Sequence, residues 1–183
     1  MKVISKYIVL IGVLIMFSCS SSKSKATPEQ LDKFTKLVES KQFEITSDMA
    51  YPQVSSAMVS LQNSGLIAPG SNANQISLIG NVNYLRIVGD SIYAELPYFG
   101  ERRMSSGYNG SDTSISIEGQ LQNYSAEVNT KDDSYTISFD AKAKSELLRF
   151  NITIFPNLKS SMFLNGSTRN PISYSGTAVQ LNK

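Results

Sequence analysis

The sequence predicts an all-β domain: an antiparallel meander of about eight to ten strands, closed as a barrel or folded as a sandwich, behind one N-terminal amphipathic helix. Three observations predict it. From Gln42 onward apolar residues alternate with polar ones, three hairpins have turn positions that set apolar residues opposite apolar residues, and no strand-helix-strand alternation occurs. With 183 residues, 41% hydrophobic, 17% charged and a net charge of +2, the chain suits one core.

The first segment reads as an address. Lys2 and Lys6 precede an apolar run from Tyr7 to Phe17, about eleven residues, where a bilayer-spanning helix needs about 20. The run ends in Met16-Phe17-Ser18-Cys19, which resembles the lipobox of bacterial lipoproteins, with Met16 and Phe17 departing from its commonest residues. Residues 1–18 are then a signal peptide, and Cys19 becomes a lipidated N-terminus. The competing reading is a plain secretory signal with an incidental cysteine. Residues 19–26 hold Ser20, Ser21, Ser22, Lys23 and Ser24, a polar tether with no apolar face. The tether lacks the acidic residues that resemble a surface-export signal in Bacteroidota lipoproteins. The expected location is therefore the cell envelope, anchored in the outer membrane by lipid on Cys19 and facing the periplasm.

Residues 27–183 form the expected domain. Thr27-Pro28-Glu29-Gln30 has the order of a capping box, and Leu31, Phe34, Leu37 and Val38 fall on one helical stripe. Placing Gly89-Asp90 at a two-residue turn pairs Ile87 with Ile92 and Leu85 with Ala94, leaving Tyr84, Arg86, Tyr93 and Glu95 on the other face. That register sets Arg86 diagonal to Glu95, an ordinary cross-strand pair. A turn centred on Lys131-Asp132 pairs Val128 with Tyr135, Ala126 with Ile137 and Tyr124 with Phe139. Another centred on Lys144-Ser145 pairs Ala141 with Leu148, Phe139 with Phe150, Ile137 with Ile152 and Tyr135 with Ile154. Further strands are expected near residues 43–49, 114–119, 160–164 and 172–179. Loops are expected at 68–75, 101–112 and 165–171.

Several of these pieces together resemble a known family. Val88-Gly89-Asp90-Ser91, Leu96-Pro97-Tyr98-Phe99-Gly100 with Tyr108 downstream, Tyr135-Thr136-Ile137, Arg169, and Ile172-Ser173-Tyr174 with Gly176 are similar to the Bacteroidota lipoproteins that carry domain of unknown function 4251. The likeness runs from about Phe43 to the end. It departs at Leu158, where a glycine usually follows the Asn, and by extra residues between Pro52 and Ile76. It implies a lipoprotein with a secreted β domain and supplies no catalytic residue.

Composition excludes several functions. With no histidine and a single cysteine, the usual zinc sites, histidine-dependent triads and disulfide frameworks are absent. Asp132-Asp133 and Asp140 lack the spacing of a calcium loop, no serine sits in a Gly-x-Ser-x-Gly elbow, and the near-neutral charge argues against nucleic acid. No cofactor or metal is expected. The candidate binding residues are Tyr98, Phe99, Arg102 and Arg103, where Pro97 interrupts the ladder, together with Arg86 and Arg169. Against that stands packing, with Tyr98 and Phe99 closing one end of the sheet. The expected role is a non-enzymatic binding module for an apolar small ligand or an envelope protein. The alternatives are a carboxylate-dependent hydrolase drawing on Glu95, Glu101, Asp112 or Glu118, and a purely structural envelope component.

Overall fold

The structure, a computed structural model, describes residues 26–103, 114–144 and 146–181. Cys19, the tether before residue 26, Tyr108, Asp112 and Ser145 lie outside the described residues. Helix α1 spans Pro28–Glu39 and begins as the capping box requires: Thr27 Oγ1 accepts from the Gln30 amide and Gln30 Oε1 accepts from the Thr27 amide. Its buried side is Phe34, Leu37 and Val38, with the Phe34 ring edge-on to Tyr135 at 5.4 Å. Glu29 with Lys33 and Asp32 with Lys36 pair on the solvent side.

The strands are β1 (Gln42–Pro52), β2 (Ile76–Ser77), β3 (Tyr84–Val88), β4 (Ser91–Pro97), β5 (Ser114–Gln120), β6 (Gln122–Asn129), β7 (Ser134–Ala143), β8 (Glu146–Ile154), β9 (Lys159–Gly166) and β10 (Ile172–Gln180). Every pairing is antiparallel, in the order β5-β4-β3-β1-β10-β9-β8-β7-β6, with the short β2 beside β1. The two ends of that order are consecutive in the chain. β5 pairs with β4, and β6, only Leu121 further on, pairs with β7. One long segment therefore joins both edges, and the sheet curls into a nearly closed barrel, which removes most of the free edge. The choice between barrel and sandwich, open in the sequence, is settled for the barrel.

The hairpin registers agree with the sequence pattern. Ile87 faces Ile92 across Gly89-Asp90, Gly89 taking the left-handed φ of 61° that the tight turn needs, and Phe139 faces Phe150 with Ile137 opposite Ile152. Val128 opposite Tyr135 and Ala126 opposite Ile137 are also as expected, but Val128 and Ala126 are exposed. Among the described residues β6 pairs with β7 alone, and of its side chains only half-buried Tyr124 packs against the core. Between Gln122 and Ser125 the β6·β7 register slips by one residue.

The two-residue β2 and one helix were not expected. Helix α2 (Ser56–Asn63) buries no residue, so no stripe announced it. Residues 79–82 leave the barrel wall between β2 and β3, which occupy the same side of β1, while the Leu78 amide still donates to the Asp48 carbonyl. Across that gap the Asn83 carboxamide takes a strand's place: its Oδ1 accepts from the Ser47 amide at 2.8 Å and its Nδ2 donates to the Ser47 carbonyl at 3.0 Å. On the other side of β1, Gly176 opposes the bulge at Ser47, and a Cβ there would collide with the Thr46 carbonyl.

Inside the barrel, Phe43, Leu85, Ile92, Leu96, Ile137, Leu148, Phe150 and Ile152 show 0% exposure. Atoms beside a water-sized void would keep some accessible area, so side chains fill the space around these residues. Phe139 stacks on Phe150 at 4.9 Å and on Tyr124 at 6.5 Å.

Candidate functional site

α1 covers the end of the barrel where β1 and β7 begin. The opposite end is roofed by two loops, and there most of the candidate residues meet. Residues 101–103 and 168–170 run side by side: the Arg103 amide donates to the Thr168 carbonyl and the Asn170 amide to the Glu101 carbonyl, with Arg102 and Arg169 bridged between them. Arg103 Nε also donates to Asn170 Oδ1 at 3.1 Å.

Beneath this ribbon lies a buried polar cluster. Arg169 donates through Nε (2.8 Å) and Nη2 (2.6 Å) to Glu146 Oε2, while Glu146 Oε1 accepts from the Thr168 amide at 3.0 Å. Both side chains are buried. Arg169 lies over the Tyr98 ring, 4.8 Å from its centre, and its Nη1 has no hydrogen-bond partner. The Tyr98 hydroxyl sits 3.0 Å from both the Glu101 and Asn170 carbonyls, and Tyr174 donates to the Pro97 carbonyl at 2.8 Å. Pro97 therefore ends the ladder as expected, but Tyr98 turns inward and is buried. Gly100 and Gly166 leave the room the cluster needs: a Cβ on the first would meet the Tyr98 ring and hydroxyl, and on the second the Glu146 carboxylate.

The electrostatics favour a fixed pair over a titrating one. Burial pushes the Glu146 carboxyl up, but hydrogen bonds from Arg169 and Thr168 outweigh it and hold the group below the usual range. Burial raises Tyr98 against the opposing pull of Arg169, and it raises Tyr174 further still, so both remain neutral hydroxyl donors.

The remaining candidates lie elsewhere. Arg86 is not paired with Glu95; it donates through Nε and Nη2 to Glu44 Oε2 at 2.9 and 2.6 Å, because β1 places Glu44 directly opposite it and a direct partner lies closer than a diagonal one. Phe99 is half-buried and helps line an open groove of about 340 Å³ with Asn81, Val82, Glu95, Pro97 and Ser114. Glu95 is the one acid among those lining residues. Glu118 lies diagonal to it on the outer wall and Glu101 on the exposed roof, so these acids form no enclosed pair. Among the described residues no group of three or more acids or cysteines could hold a metal, and no helix is long and apolar enough to cross a membrane. Nothing local in the sequence marks Glu146, because its partner lies 23 residues away across a hairpin and a loop.

Residues that carry the family resemblance thus converge here: Leu96 to Gly100, Arg169 and Tyr174 bind the two roof loops to the strand ends. The family model for the domain of unknown function DUF4251 matches residues 25–178. Among solved structures, the crystal structure of a DUF4251 family protein from Bacteroides eggerthii DSM 20697 is similar to this chain with a TM-score of 0.56 and 10% identity. The match covers 83% of this chain and 88% of that one, and at this identity it is a likeness of fold. No curated protein matches the chain.

Proposed function

The chain belongs to the DUF4251 family, and from that membership we propose that it is a lipid-anchored envelope lipoprotein, held at the outer membrane through Cys19, whose barrel docks a periplasmic protein partner by its roofed end. The observation that carries the reading is the filled interior, which leaves a partner surface in place of an apolar ligand chamber. Leu66 (74% exposed), Ile79 (79%) and Val82 (85%) project from the uncharged run between Asp48 and Arg86, the last beside the groove at Phe99. The apolar run from Tyr7 to Phe17 and the Ser18-Cys19 pair support the anchor. The separation of Glu95, Glu101 and Glu118 among the described residues supports a binding role over hydrolysis.

Two measurements test this. Cells fed labelled palmitate should label the protein, and Cys19→Ser should release it from the membrane fraction; an unlabelled protein ends the anchor reading. A photo-crosslinking residue at Val82 should give a discrete adduct that Ile79→Asp abolishes, and the same residue at Thr136 on the far wall should not. Identical adducts at both positions would reject the docking surface.

A further inference from the structure

The outer wall over β8, β9, β10 and the end of β1 has a chemistry of its own. Across the register Tyr51 faces Ser173, Ser173 faces Phe163, Phe163 faces Asn151 and Asn151 faces Ser138. The adjoining row is Met49, Ser175, Ser161, Thr153 and Thr136. All of these point outward, since their neighbours along each strand, such as Leu164, Ile152 and Tyr174, are buried in the barrel. None is charged, whereas the rows on either side carry Arg149 with Asp140 and Lys159 with Thr177.

Phe163 (43% exposed) and Tyr51 (38%) are the aromatics of this wall. They stand two strands apart on one row, which sets them about 10 Å from each other. The Tyr51 hydroxyl is hydrogen-bonded to Ser175 Oγ at 3.2 Å, which lays the ring down across β10. Between and beside the rings are hydroxyls and one carboxamide. Ser138 donates to Asn151 Oδ1 at 2.8 Å, so the Asn151 amide keeps donors for a ligand.

We infer that this wall binds a neutral, linear polysaccharide. A pyranose ring has an apolar C–H face, which stacks on an aromatic, and a rim of hydroxyls, which take neutral donors and acceptors without stranding a charge. Two rings held two strands apart suit two sugar units of one chain lying across the strands. Nucleic acid or an acidic glycan would need cations, and the two rows offer none. A bilayer would need the rings joined by apolar surface, and here hydroxyls separate them. The inference stands apart from the anchor and from docking at the roofed end.

Affinity electrophoresis tests it, with the full chain in a detergent that lacks a sugar headgroup, run through gels containing hydroxyethyl cellulose, dextran, heparin or no polymer. At least one neutral polymer should retard the protein and heparin should not. Phe163→Ala and Tyr51→Ala should each weaken retardation about tenfold, and together abolish it. Leu147→Ala on β8 and Ile79→Asp at the roofed end should leave it unchanged. As a second readout, irradiating aromatic protons of the wild-type protein should transfer saturation to the C–H protons of cellohexaose or isomaltohexaose, whichever matches the retarding polymer. Unretarded migration in both neutral gels, retardation that survives the double change, or loss on Ile79→Asp alone would each overturn the inference, as would absent saturation transfer.

Discussion

Arg169 is held by one carboxylate, one aromatic face and a roof of backbone, and its Nη1 still lacks an acceptor. Taking two charges out of water costs several kcal/mol per ion, so the pair is worth most when whole. Arg169→Ala should therefore destabilise the protein by about 3–5 kcal/mol, because it leaves Glu146 buried and alone. Arg169→Met with Glu146→Leu should recover most of that loss. Urea denaturation of the three proteins decides it, and a double variant no better than the single one would contradict the ion-pair account. The pH dependence follows from the same geometry. The folded carboxyl binds its proton less readily than the unfolded chain does, so its contribution is complete above its ordinary value of 4.5 and is lost as the pH falls through the lower folded value. Stability should drop on acidification below that point, and Glu146→Gln should flatten part of the drop in acid denaturation curves. Arg169 and Tyr98 could be singled out from the sequence, but their partner could not. A glutamate beside a turn reads as a solvated surface residue, and nothing periodic links it to an arginine in another loop.

At the level of elements, the hairpins were legible because each turn fixes a mirror of apolar positions around itself. Ile87 with Ile92 and Phe139 with Phe150 follow from that symmetry alone. β1 has no such local mirror. It pairs with β3 on one side and with the last strand, β10, on the other, and Arg86 finds Glu44 only through that non-local contact. Two unforgiving positions lie against this strand at its bulge, Asn83 on one side of Ser47 and Gly176 on the other. Asn83→Ala should cost about 1–3 kcal/mol, since the amide and carbonyl of Ser47 would lose their partner across the gap between β2 and β3. Gly176→Ala forces the β1·β10 seam apart at Thr46, and hydrogen exchange should rise in both strands ahead of β7 and β8. Uniform acceleration over all strands would mean that the seam is no weaker than the rest. Helix α2 stayed hidden for the opposite reason: none of its residues is fully buried and only Met58 packs half-buried against the core, so burial left no stripe in its pattern.

For the molecule as a whole, closure and filling are one problem. The segment from Ser114 to Asn129 pairs first with β4 and then with β7, which draws the two sheet edges together and fixes the girth of the barrel. With that girth, inward residues of the size of Phe43, Phe150, Ile152 and Tyr174 leave those side chains with almost no accessible surface. A barrel of about eight strands is just wide enough either to be filled by side chains or to hold one small ligand, and the buried inward residues here take the first course. Here α1 covers one end and the Tyr98-Arg169-Glu146 roof the other, so an apolar guest would have to displace packed side chains and open one of those covers. The wild-type protein should accordingly show no saturable binding of a fluorescent fatty acid. Phe150→Ala should lose about 3–5 kcal/mol of stability and create a cavity that takes up xenon or benzene. Saturable micromolar fatty-acid binding by the wild-type chain would show that the interior opens in solution, and the choice of a protein partner over an apolar ligand would fall with it.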